Sequence, residues 1–162
     1  MGLRHVFYES WQMECCGTPF SVGQEVSWPL RFVDADEVLG GGWYEEFPEI
    51  MGAGRPGPQA GLLTVETHGG KWPEVAGRVR AIRVVTQEYA ETAPGSRSWE
   101  PVRGPGTRRL RRVDECPKWF ADEGPRGKGR RFVEAGVVVT LDVATLGEAG
   151  PVAAPPRPPG TP

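Results

Sequence analysis

No stretch of this chain sustains a helical period beyond one or two turns, whereas six short stretches carry β-forming residues, most of them alternating apolar with polar, and are set apart by turn residues and clusters of Gly and Pro. That pattern points to a mainly β protein. The six stretches are Leu3–Tyr8, Glu25–Leu30, Leu62–Thr67, Gly77–Tyr89, Leu110–Val113 and Ala135–Val143. In the second, Val26, Trp28 and Leu30 share one face, and Pro29 predicts an edge strand or a strand end. In the fourth, Arg78 and Arg80 fall on one face and Arg83 on the other, so the alternation slips near Ala81–Ile82 and a β-bulge is needed to restore register. In the last, Val137, Val139, Leu141 and Val143 face inward. Short helical turns are expected only at Asp34–Leu39 and Pro117–Asp122. Six strands in a small chain protect their edges best by curling, which predicts a small antiparallel β-barrel.

The 162 residues suit one domain, and the 40 Gly and Pro residues are not spread evenly through it. Nine lie between Gly40 and Pro58, six between Pro94 and Gly106, and nine between Gly147 and Pro162. A single domain over 1–146 is therefore expected, with loop insertions at about 40–60 and 94–106, followed by a disordered tail over 147–162. The Pro-rich end of that tail can form a polyproline helix for a partner domain, but a solvated tail is the plainer reading. No apolar run follows Met1-Gly-Leu-Arg4, and no segment has the length to cross a bilayer, so a cytoplasmic protein without membrane contact is expected.

The densest cluster of informative residues is Trp11-x-Met-Glu-Cys-Cys-Gly-x-Pro-Phe-x-Val-Gly-x-x-Val-x-Trp28. Its Gly23-x-x-Val26-x-Trp28, followed later by Gly77-x-Val79-x-x-Ile82, resembles the opening and central strands of SH3-like small barrels. Taken with Val85-Thr-Gln-Glu-Tyr89 and Cys116-Pro-Lys-Trp-Phe120, the arrangement is similar to an uncharacterised actinomycete family, a domain of unknown function, over roughly residues 3 to 143. That resemblance implies no activity. Sixteen Arg against three Lys, with no Asn, reads as the mark of a GC-rich genome.

Charge is divided unevenly. Residues 1–75 hold four Lys or Arg against eleven Asp or Glu, while 76–162 hold fifteen against ten. The second half contains a basic run with Arg108, Arg109, Arg111, Arg112, Arg130 and Arg131. Such a run can neutralise phosphates, which makes nucleic acid a candidate partner; the plainer reading is a solvated surface paired with the acidic half. Trp43, Tyr44, Trp72 and Trp99 follow or flank Gly and Pro segments, where a ring can stack on a ligand, a base or a protein partner, or simply pack beneath a loop.

Three cysteines in a protein expected to be cytoplasmic disfavour a disulfide framework, and a bridge between the adjacent Cys15 and Cys16 looks unfavourable. Cys15, Cys16 and Cys116 with His68 have the ligand types of a tetrahedral zinc site, although no C-x-x-C pair supports it. The bland alternative is small buried hydrophobes without a cofactor. A thiol nucleophile activated by His5 or His68, with Glu14 or Glu66 nearby, is the enzymatic alternative. No Walker loop, dinucleotide-binding glycine motif or H-E-x-x-H is present, and Gly40-Gly-Gly42 reads as a loop. The leading expectation is a non-enzymatic binding or adaptor module; a nucleic-acid-binding barrel and a zinc-binding or thiol-dependent enzyme are the alternatives.

Overall fold

The computed structural model describes residues 2–51, 61–125, 127 and 129–143. Its strands are β1 (Leu3–Glu9), β2 (Glu25–Asp34), β3 (Gly61–Val65), β4 (Glu74–Glu91), β5 (Trp99–Pro101), β6 (Arg108–Val113), β7 (Asp122–Pro125) and β8 (Arg130–Asp142). They form one mixed sheet in the order β5-β4-β2-β3-β1-β8-β7, with β6 also on β4. Because β4 pairs with β8 as well as with β2, the pairings β4–β2–β3–β1–β8–β4 return on themselves. All are antiparallel except β1–β3, where Val6 faces Leu63 and Phe7 faces Thr64 in parallel. The antiparallel sheet expected from the pattern has this one parallel exception. A parallel pair needs a long connection, and β1 and β3 are far enough apart in the sequence, with β2 between them, to allow one.

Strand β4, at 18 residues, organises the rest. Its ladder with β8 shifts register between Val79 and Ala81, at Arg80, which is the slip that the alternation required. Arg80 pairs with Asp142 and Arg83 reaches Thr140, and because Thr140 and Asp142 lie two apart on the face of β8 that points away from the main core, the bulge returns both arginines to one face. Strand β2 runs past its expected end at Leu30, and Pro29 lies inside it rather than at its edge. There β2 changes partner, from β4 over Glu25–Pro29 to β3 over Leu30–Asp34, so the missing N–H falls at the handover.

Both faces of the sheet are covered. One face packs Val6, Tyr8, Trp28, Leu30, Val79, Ile82, Val84, Val137, Val139, Leu141 and Val143 into the main core. The opposite face sets Phe7, Val85 and Val138 against Leu62, Ala35 and Trp43. Consecutive residues such as Val137 and Val138 are thus buried on opposite sides, which explains why β8 reads as an unbroken apolar run. The second cluster is capped by α2 (Trp43–Glu46) and α3 (Pro48–Met51), single turns in the first part of the loop expected over about 40–60, whose residues 52–60 lie outside the described residues. Likewise β5 occupies part of the expected 94–106 loop. Asp34 accepts a hydrogen bond from the Asp36 N–H and starts the short 3-10 turn Ala35–Glu37, as anticipated, but Pro117–Asp122 forms no helix. The expected tail over 147–162 lies outside the described residues. Among the described residues, no helix is long and apolar enough to cross a membrane.

Gly136 is where β8 presses hardest on its neighbour. It sits at a φ of 150°, opposite Glu9 of β1, and a Cβ there would run into the Tyr8 carbonyl oxygen and come within 3.1 Å of Glu9 Cα. Gly23 also has a positive φ, 93°, but nothing lies within 4 Å of a Cβ built on it. Gly136→Ala is therefore expected to destabilise by about 2–4 kcal/mol, combining backbone strain with overpacking, and Gly23→Ala by about 1–2 kcal/mol from backbone conformation alone. Chemical denaturation of both variants checks the order; equal losses would show that β8 does not approach β1 this closely.

Candidate metal and thiol site

The parallel pairing of β1 and β3 sends both strands toward the same end of the sheet. Strand β1 leads at once into α1 (Ser10–Cys16), and β3 leads into Glu66-Thr67-His68. Two segments about 53 residues apart therefore meet, and they bring Cys15, Cys16 and His68 together. The helix was not expected from the sequence, because two turns offer too few positions to display a period. It is held from outside: Met13 enters the main core, Gln12 is buried, and Gly17 closes the last turn through the carbonyls of Gln12 and Met13. Lys118 donates to the Met13 and Gly17 carbonyls at 2.7 and 3.0 Å, supplying from a distant segment the cation that a helix C-terminus favours. Glu14 accepts from the Phe120 N–H.

Within the cluster, Cys15 Sγ and Cys16 Sγ each lie 3.5 Å from His68 Nε2, and the structure joins the two sulfurs as a disulfide. That corrects the expectation that these cysteines stay unbridged. All three side chains are exposed. The imidazole is nevertheless fixed. Buried Gln12 donates to the Val65 carbonyl and accepts, on Oε1, both the Thr67 N–H and the Thr67 hydroxyl. Since that hydroxyl has given its proton to Gln12, its 2.9 Å contact with His68 Nδ1 makes it the acceptor of an Nδ1–H. The tautomer this selects leaves the Nε2 lone pair facing both sulfurs, the form in which a histidine ligates a metal. Trp11 packs on the ring at 4.8 Å, and Glu66 accepts the His68 backbone N–H.

Cys116 does not join this group. It lies in the main core with its Sγ–H directed to the Pro117 carbonyl, and burial, aided by Glu115, pushes its thiol up to about 12. The four-ligand set expected from composition is therefore reduced to three. His5 is also elsewhere, bonded through Nδ1 to Thr140, with burial and then Arg83 holding its pKa below the usual value.

The basic run is mostly neutralised. Arg109 pairs with Glu123, Arg111 with Glu134, Arg130 with Glu88 and Arg131 with Asp122. These carboxylates come from the second half of the chain, so the expected pairing with the acidic first half is not what balances them. Arg112 is exposed and stands opposite Arg83 in the β4–β6 ladder. Arg108 is buried: its guanidinium lies 3.9 Å over the Trp43 ring, donates to Gln87 and reaches the Leu39 and Gly41 carbonyls at 2.7 and 3.0 Å. Burial pulls its pKa down to about 10, so it stays charged at neutral pH and clamps the Gly40–Gly42 turn onto β4. Arg108 and Trp43 are thus a structural pair and offer no surface for a ligand. Tyr44 donates to the Gly61 carbonyl, Trp99 lies under Arg131, and Trp72 is exposed beside Arg31. No ring contact joins these aromatics among the described residues.

Two outcomes follow from these placements. Arg108→Ala should destabilise by about 3 kcal/mol, from a cavity and stranded polar partners, whereas Arg109→Ala should cost less than about 1 kcal/mol as an exposed pair; thermal denaturation compares them. With the protein reduced and folded at pH 8, iodoacetamide should modify two cysteines per chain and spare Cys116 until denaturant is added, because only a thiolate reacts. Labelling of Cys116 in the folded state would show that it is not enclosed.

No curated protein and no solved structure matches the chain. A family model described as a family of unknown function (DUF6578) matches residues 2–143, from before β1 to just past β8. The chain belongs to that family.

Proposed function

We propose that this protein is a non-enzymatic binding module, a small SH3-like barrel that in its reduced form holds a thiophilic divalent ion, zinc first among them, through Cys15, Cys16 and His68. The self-closing circuit of β4, β2, β3, β1 and β8 supports the barrel. The observation that carries the function is the convergence of two sulfurs and one imidazole nitrogen within 4.8 Å of one another. Two thiolates and a neutral imidazole suit zinc, whose fourth position is then filled by water or by a donor from a partner. The Gln12–Thr67–His68 chain supports the same reading, since it orients Nε2 before any ion arrives.

The nucleic-acid reading has less support. Four of its six arginines already engage carboxylates and a fifth is buried, which removes most of the free charge that phosphate binding needs.

Titration of the reduced protein with Co(II) or Cd(II) tests the proposal. One equivalent should bind, with a sulfur-to-metal charge-transfer band. Cys15→Ser and Cys16→Ser should each remove the band, His68→Ala should weaken binding at least tenfold, and Cys116→Ser should retain one equivalent. Gln12→Ala should lower affinity by about 10–100-fold through loss of ring orientation. A reduced, folded protein that shows no charge-transfer band would overturn the reading.

A further inference from the structure

We infer that this metal site is also a two-electron redox switch: oxidation of Cys15 and Cys16 to their mutual disulfide expels the ion, and reduction readmits it. The inference rests on the binding proposed above. It begins with the fact that the two sulfurs that face His68 are the same two that the structure joins to each other. The two states exclude one another, because a sulfur committed to a disulfide has no thiolate charge to offer a cation.

The third ligand waits in place. In the disulfide state described here, His68 Nε2 already lies 3.5 Å from each sulfur, held by Thr67 and by the Trp11 ring rather than by the cysteines. Reduction therefore needs no rearrangement of the imidazole. The end of α1 is tied down as well, by Met13 in the core, by Lys118 on its last carbonyls and by Glu14 on the Phe120 N–H. The chemical change is confined to the two sulfurs, which are exposed to small reactants, while Cys116 is enclosed and does not compete for either of them.

The reaction balances with a low-molecular-weight disulfide as oxidant. One cysteine thiolate attacks a sulfur of the small disulfide, whose S–S bond breaks and releases one thiolate, leaving a mixed disulfide on the protein. The second cysteine sulfur then attacks the cysteine sulfur of that mixed disulfide; the Cys15–Cys16 bond forms and the second small thiolate departs. Two electrons pass from the cysteine pair to the small disulfide. The ion leaves as the divalent cation it was. A small dithiol reverses the sequence and becomes a cyclic disulfide.

The full chain, reduced and loaded with zinc alone, is treated with excess oxidised glutathione, and free zinc is read with a chromophoric chelator while alkylation and peptide mass spectrometry follow the thiols. One equivalent of zinc should appear as two alkylatable thiols are lost, the peptide holding Cys15 and Cys16 should become lighter by two hydrogens, and dithiothreitol should restore binding. In Cys16→Ser, the same oxidant should stop at a glutathione adduct on Cys15. If the reduced chain never takes up zinc, the binding proposal itself falls. If it binds zinc but keeps it after the disulfide forms, or ends as a stable glutathione adduct or an intermolecular disulfide, only the switch is overturned.

Discussion

The parallel contact between β1 and β3 is the constraint on which both fold and site depend. It joins the first strand to the third, so that the ladders through β2, β4 and β8 close into a circuit. It also dictates that whatever follows β1 and whatever follows β3 emerge at one end. The helix bearing Cys15 and Cys16 and the turn bearing His68 are neighbours for that reason alone. An antiparallel pairing of the same two strands would place them at opposite ends of the sheet.

Charge in this protein does two different jobs. At the surface, arginines facing Glu88, Glu123, Glu134 and Asp122 form ladders of exposed pairs, each of small energetic weight, which balance the basic run locally. Inside, the guanidinium of Arg108 replaces water with carbonyl oxygens, an amide and an aromatic face, and thereby fixes a glycine turn whose backbone would otherwise have few partners. Adjacent arginines in one strand thus differ in role because successive residues point to opposite faces. Sequence proximity makes them look like one patch, and the pleat separates them.

Much of the β framework was legible. Alternation located six of the eight strands among the described residues, assigned the inward face of β8, and placed the register slip of β4 near the residue where it occurs. What escaped was short or partner-dependent. Helix α1 is too brief to show a period, β5 and β7 are only three and four residues long, and Pro29 stands inside β2 because a strand that changes partners tolerates a missing N–H in its middle. The site was half legible. Cys15, Cys16 and His68 have the ligand types that metal chemistry requires, but Cys116 has the same type and lies in the core. Gln12, Thr67 and Lys118, which position the site, carry no motif.

By itself the sequence determined which residues could form strands, which faces they would bury, and which side chains were chemically able to bind a soft ion, because alternation, β-propensity and ligand type are local properties. Only the tertiary structure decided that two of the three cysteines, and one of the two histidines, would share a site. That choice turned on the direction in which β1 runs past β3, a pairing between segments more than fifty residues apart. Their separation along the chain leaves no trace in either segment's own pattern, since strand direction is settled by the joint packing of all the ladders that close the circuit.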